Sequence, residues 1–277
     1  MNLAEIMERE RIELYAPIPL SDTKIIKPYL LERCGVPSDT GSALMLCVPY
    51  YSATPENISA YACSRDYHLY FERLFDRILP ELRSMYEGYS FYGFADHSPI
   101  SEVGAAAAAG LGVIGDNHLF ICEKYSSFVF LGEIISDMPA EGYGLPIGEC
   151  DVRTCHHCGA CSRGCPEGLD VSSCLSALTQ KKGELDEREV QRLTAHGIAW
   201  GCDKCQSVCP YTKAAAASGS IYTPIDFFYE KRMEKIDLEG LWSMSDEEFF
   251  ERAFSWRGRE TIARNLKILG GNNGCSD

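Results

Sequence analysis

Apolar and polar positions along this chain fall into patterns that predict a mixed set of helices and strands. The opening residues mix charged and apolar side chains as a helix does, and Pro17, Pro19 and Pro28 predict irregular structure after it. Ala43 to Val48 is an unbroken apolar run closed by Pro49, the pattern of a buried strand. Residues 51–66 are rich in Ser, Pro, Asn and Asp and read as loop. From Asp66 onward, Tyr67, Phe71, Leu74, Ile78 and Leu82 recur at steps of three and four, so one helical face is apolar and reads as core. Pro80 is expected to kink or divide that helix. Residues 91–96 predict a strand ending at Asp96, and Ser101 to Ala109 an alanine-rich helix stopped by Gly110 in a left-handed conformation. Leu119 to Cys122 and Phe128 to Ile135 predict two strands joined by a polar turn, and the Gly- and Pro-rich residues 137–150 a linker. Further on, Leu185 to His196 predicts a short helix, and Ser245-Asp-Glu-Glu248 is a capping box that starts another.

No apolar stretch is long enough to cross a membrane, and the charged N-terminus lacks the apolar segment of a signal peptide. The expectation is therefore a cytoplasmic protein with no membrane partner. There disulfides are rare and clustered cysteines bind metal. A net charge of −14 argues against a generic nucleic-acid binder, which carries a basic surface.

The cysteines change the picture most. Cys155, Cys158, Cys161 and Cys165 form a C-x2-C-x2-C-x3-C-P run, and Cys202, Cys205 and Cys209 a C-x2-C-x3-C-P run. The first has the spacing of ferredoxin-type proteins, in which three close thiolates hold one [4Fe–4S] cube and the fourth reaches to a second. With Cys174 between them the runs supply eight thiolates, the number two cubes need. Two four-cysteine zinc sites are the alternative, but they require neither a third cysteine so close behind the pair nor a proline after the last ligand. Of the six other cysteines, Cys34, Cys47, Cys63, Cys122, Cys150 and Cys275, most read as small buried apolar residues.

Two cubes in series conduct electrons one at a time, and the roughly 150 residues before them exceed what a bare ferredoxin needs. The residues thus suggest an oxidoreductase whose N-terminal domain holds a second redox centre. Asp96, at a strand end before a turn, is either a functional carboxylate or the cap of that turn. The glycines of Gly110-Leu-Gly112-Val-Ile-Gly115-Asp-Asn117 permit tight turns and close approach of backbone to a ligand, although the segment follows a helix and so matches a phosphate cradle poorly.

Several segments, in order, resemble epoxyqueuosine reductase, the cobalamin-dependent iron–sulfur enzyme of queuosine biosynthesis in tRNA. They are Ser64-Arg-Asp66-Tyr-His68, Asp96-His-Ser-Pro99 with Glu102, Ala109 to Asn117, and Phe128 to Ile134 with Asp137. The Cys runs, Leu178 to Glu184, and Arg264-Asn265-Leu complete the series. The resemblance implies an α+β protein. Residues 1–145 would form a nitroreductase-like cobalamin-binding α/β domain, 146–220 a ferredoxin-like domain with two [4Fe–4S] clusters, and 221–277 a C-terminal helical tail. It implies that Cys155, Cys158, Cys161 and Cys209 hold one cube and Cys165, Cys174, Cys202 and Cys205 the other. It makes Asp96 the proton donor, with a raised pKa, and Asp66, His68, Gly112, Gly115, Asn117 and Ser127 contacts of cobalamin. The implied partners are an external low-potential electron donor of ferredoxin or flavodoxin type, and tRNA. Asp116 departs from the family, which has lysine there. A paralogue acting on another small molecule, and an electron-transfer protein without its own catalytic centre, are the other readings the residues allow.

Overall fold

The computed structural model describes residues 2–148 and 152–271. They form two compact units, each assembled from separate stretches of chain. The first takes Met1–Pro49, His68–Cys158 and Ala214–Ile225; the second takes Tyr50–Tyr67, Gly159–Lys213 and Asp226–Asp277.

The first unit is built on a four-stranded antiparallel sheet. In chain order its elements are α1 (Leu3–Arg9), β1 (Leu14–Pro19), α2 (Pro28–Cys34), β2 (Ser42–Pro49), α3 (Tyr67–Met85), β3 (Phe91–Phe94), α4 (Glu102–Ala108), β4 (Val113–Ile114), β5 (Phe120–Ile121) and β6 (Val129–Ser136). The sheet runs β1-β2-β6-β3, and β4 and β5 form a separate short ladder. Every residue of β2 is buried, as its unbroken apolar run requires of a strand covered on both faces.

Two helices cover those faces. Phe71, Leu74, Ile78 and Leu82 of α3 are buried, each contributing about 1.5–3 kcal/mol by leaving water. The aromatic rings of this helix need bare backbone beneath them. A Cβ at Gly132 would stand 2.3 Å from Phe71, and one at Gly93 2.4 Å from Phe75. On the other face, Ala105 to Ala108 of α4 are buried, and Ala105, Ala106 and Ala108 join a core with Met45, Cys47 and Ile135. Methyl-sized side chains let a short helix lie close to the strands.

Three expectations change here. Pro17 and Pro19 do not break the chain into irregular structure; they sit in β1. That strand is at the sheet edge, where a missing N–H costs no ladder bond. Pro28 begins α2, at a first-turn position where a proline loses no helical hydrogen bond. Pro80 lies inside α3, which stays one 19-residue helix, its buried stripe outweighing the lost bond. The two strands expected at 119–122 and 128–135 form as β5 and β6; β5 pairs with β4, and β6 takes the sheet centre between β2 and β3. Gly110 does end α4 with φ 79°. The expected linker is structured in its first half, where Met138, Ala140 and Tyr143 are buried.

The second unit has short helices and no sheet among its described residues. They are α5 (Ala160–Gly164), α6 (Leu175–Gln180), α7 (Glu187–His196), α8 (Lys204–Ser207), α9 (Pro210–Ser218), α10 (Leu238–Ser243), α11 (Asp246–Phe250) and α12 (Arg259–Gly270), with the last residues of α9 counted in the first unit. Its core gathers Trp200, Phe254, Leu241, Phe249 and Ile262 with Ile58, Ala62 and Cys63. The capping box at Ser245 is formed in both directions.

Candidate functional site

Asp96 lies two residues beyond the end of β3, not at its last residue, in a left-handed conformation at φ 64°. Several ties hold it there. The Glu102 side chain accepts from the Asp96 N–H at 2.9 Å. Behind Asp96, Pro99 accepts backbone bonds from Ile26 and Lys27, and Ser101 donates to Lys24. His97 is fixed by Lys27 and Tyr29, each at 3.2 Å. The loop is thus strapped to the 24–29 segment, and the Asp96 carboxylate stands at the surface, 3.6 Å from His68 Nε2 near the start of α3. An exposed carboxylate beside an imidazole can exchange protons with a bound substrate.

Beneath this loop is a feature sequence reading missed. Glu133, in the central strand β6, is fully buried. It pairs across the sheet with Met45 and with Phe94, the residue that launches the Asp96 loop. Burial foremost, then the charge of Glu102, push its carboxyl well above the ordinary carboxylate range. Burial likewise raises Glu102. A glutamate in an otherwise apolar strand was the available signal.

The segment Gly112 to Asn117 is tight for reasons internal to the chain. A Cβ at Gly112 would stand 2.3 Å from the Ile121 carbonyl, and one at Gly115 2.4 Å from Asn117 Oδ1. Ile114 exchanges backbone bonds with Arg153 and Cys155, which lays the first cysteine of the first run against this segment. Asp116 accepts from His157 Nδ1 at 2.7 Å if that nitrogen carries the proton. The ligand atoms of Asp116, Cys155 and His157 lie within 4.8 Å of one another. Ser127 is buried just before β6. Asp66 belongs to the second unit and its N–H donates to the Glu251 carbonyl, whereas His68 belongs to the first.

Of the eight cysteines, Cys155 and Cys158 fall in the first unit and the other six in the second. None of the eight is in a disulfide, and all but the exposed Cys158 are half-buried. Cys161 lies in α5 and Cys165 caps it; Cys174 caps α6; Cys205 lies in α8 and Cys209 follows it. The helices α5 and α8 pack together, and a Cβ at Gly164 would stand 2.6 Å from Val208, so the glycine before Cys165 lets the two runs meet. Burial pushes the Cys202 thiol up, and the nearby Cys174 adds to it. Of the other cysteines, Cys47, Cys63 and Cys122 are buried and Cys34 half-buried, while Cys150 and Cys275 lie outside the described residues.

The second run is held by its non-cysteine residues. Asp203 accepts from Ser59 Oγ and the Ala60 N–H, both at 2.6 Å, and from Gln206 Nε2 at 3.0 Å. Gly201 has φ 71°, and a Cβ there would stand 2.4 Å from Ser59 Cβ. Its N–H donates to Thr179 Oγ1, and the buried Asn265 amide donates to the Thr179 and Ala199 carbonyls. The Gly-Cys-Asp-Lys-Cys-Gln spelling therefore holds the loop as well as supplying sulfur.

No protein-family model matches the chain. Its fold is that of the epoxyqueuosine reductases. It superposes on the enzyme from Streptococcus thermophilus with a TM-score of 0.78 at 22% identity, covering 99% of this chain and 82% of the other. An epoxyqueuosine reductase solved with a tRNA-Tyr epoxyqueuosine-modified stem loop gives a TM-score of 0.72 at 21% identity, over 96% of this chain and 80% of that one. In sequence the chain is similar to epoxyqueuosine reductase of Pseudomonas aeruginosa, 33% identical over 252 residues, which are 86% of this chain and 65% of that relative. The chain thus spans less than two thirds of the length of that relative. Among the described residues no helix is long and apolar enough to cross a membrane.

Proposed function

We propose that the protein is an oxidoreductase of the epoxyqueuosine reductase type, acting on epoxyqueuosine in tRNA or, as a paralogue, on a related small substrate. The supporting observation is a matched fold together with eight cysteines outside any disulfide, seven in two runs and Cys174 between them. Removing an epoxide oxygen as water takes two electrons and two protons. Two [4Fe–4S] clusters would carry the electrons, on Cys155, Cys158, Cys161 and Cys209 and on Cys165, Cys174, Cys202 and Cys205. Cysteines outside any disulfide, seven of the eight half-buried, suit that donor chemistry. A ferredoxin- or flavodoxin-type protein would recharge them.

Cobalamin, when bound by the first domain, would supply a low-valent cobalt for the electron transfer. That part rests on the resemblance, because the glycines at 112 and 115 serve the chain's own turns. His68, Asn117, Ser127, Gly112, Gly115 and Asp66 are its proposed contacts. In this reading Asp96 donates a proton to the departing oxygen, and His68 beside it restores that proton. The proposed organisation is a nitroreductase-like cobalamin domain over 1–145, a ferredoxin-like domain over 146–220 and a helical tail over 221–277, in the cytoplasm.

The test is an anaerobic assay of the reconstituted chain on tRNA bearing epoxyqueuosine, with reduced viologen as donor. Wild type is expected to form queuosine, and Asp96→Asn to lose turnover while retaining iron and cobalt. Undiminished turnover by Asp96→Asn removes the acid role. Zinc in place of about eight irons per chain removes the redox reading.

A further inference from the structure

The Glu102–Glu133 pair is not used by the reaction just described, and the fold places it where it controls the reaction's proposed acid. Glu133 stands on the sheet face that α4 covers, alongside Met45 and Phe94. It has no exposed surface, and neither carboxylate oxygen has a well-formed hydrogen bond among the described residues, although the Ser98 hydroxyl stands near. Glu102, in the first turn of α4, lies within hydrogen-bonding reach of it. Two ionised carboxylates cannot bond to each other; one shared proton supplies a donor between them and removes one of two like charges from a buried place. The other oxygen of the pair has a separate task, since Glu102 Oε1 accepts from the N–H of Asp96.

We infer that Glu102 and Glu133 share one proton at neutral pH and that the proton-bridged pair is a latch that holds the Asp96 loop in its left-handed conformation. Glu133 is therefore a positioning residue: it touches no substrate and acts through Glu102. The groups facing the pair are few. Lys27 on the α2 side, the Asp96 N–H and the Ser98 hydroxyl on the loop favour ionisation, and the Asp96 carboxylate opposes it. His97 is engaged by Lys27 and Tyr29. The strand partners Met45 and Phe94 carry no charge. Burial, foremost for both carboxyls, and mutual repulsion thus oppose one cation, one hydroxyl and one N–H, and the proton stays. When alkali removes it, two charges repel inside an apolar wall, Glu102 withdraws, and the Asp96 N–H loses its acceptor.

The inference rests on the proposed reading only for its consequence in turnover, so its test needs neither substrate nor cofactor. Infrared spectra of the whole chain at neutral pH are expected to show a protonated-carboxyl carbonyl band that Glu133→Gln and Glu102→Gln abolish and Asp96→Asn retains. Hydrogen exchange of the peptide spanning Asp96, corrected for intrinsic rates, is expected to accelerate about tenfold per pH unit once the shared proton is lost. In Glu133→Gln the amide donates to Glu102 at every pH, so exchange should stay slow from neutral to about pH 9. Glu102→Ala should exchange fast throughout; should it fail to fold, the comparison of wild type with Glu133→Gln still decides. Absence of the band, or the same pH dependence in wild type and Glu133→Gln, overturns the latch. A chain that shows both signatures yet reduces no epoxyqueuosine overturns the proposed reaction and leaves the latch standing.

Discussion

The two units solve the problem of holding a functional loop by different physics. In the first, the loop bearing Asp96 leaves a central sheet whose backbone bonds and apolar faces support themselves. In the second, the cysteines sit at the ends of helices four to six residues long, too short to persist alone. Buried polar side chains do the holding there: Asp203 gathers three donors, and Asn265 bridges two carbonyls. A sheet tolerates, and here uses, a buried carboxyl pair. A cysteine scaffold with little backbone ladder depends on every hydrogen bond of its staples.

The comparison predicts that removing one staple costs more than crowding the sheet. Asp203→Ala leaves Ser59, Ala60 and Gln206 without their acceptor and should destabilise the second unit by about 3 kcal/mol, with Asp203→Asn recovering part of it. Denaturant unfolding followed by the buried Trp200 reads this; a loss below about 1 kcal/mol would show that the cores, not the staples, hold the runs. Gly132→Ala puts a methyl into Phe71 and should cost the first unit about 2 kcal/mol, read by thermal unfolding. An unchanged midpoint would mean that α3 shifts freely over the sheet.

Next in size is a pH effect confined to the first unit. Burial raises Glu133 and Glu102 above their unfolded values, so the folded state holds protons that the unfolded state releases. Stability is then full below about pH 4.3 and falls as pH rises towards the folded-state values, by up to about 1.4 kcal/mol per unit for one proton. Glu133→Gln should flatten that slope between about pH 5 and pH 8; an identical slope would sink the shared proton. The smallest effect is expected from Asp116→Asn, which breaks a largely exposed pair with His157 and should change stability by under about 1 kcal/mol. A larger loss would show that this pair, too, acts as a staple.

Much of the fold was legible in the residues. The apolar run at β2, the stripe of α3, the alanines of α4 with Gly110 after them, and the Ser245 capping box each form as their local pattern dictates. The prolines misled, because whether a proline is tolerated depends on strand position at an edge or on a helix's apolar face, and neither is local. The strand pairing of β5 was not legible for the same reason: only the fold decides which edges meet. Among candidate site residues, the cysteine spacing and Asp96 stood out by type and position, whereas Glu133 was hidden within an apolar strand and Asp203 and Asn265 read as ordinary polar residues.

The sequence by itself determined that seven cysteines stand in two runs with Cys174 between them, that an alanine helix stops at Gly110, and that one face of α3 is apolar. These follow from covalent spacing and helical period, which neighbours in the chain set alone. Only the tertiary structure decided that residues 50–67 fold with the second unit and 214–225 with the first, and that Glu133 faces Glu102 beneath Asp96. Such juxtapositions join residues far apart in sequence. They are fixed by which surfaces can be buried together, and no local pattern records that.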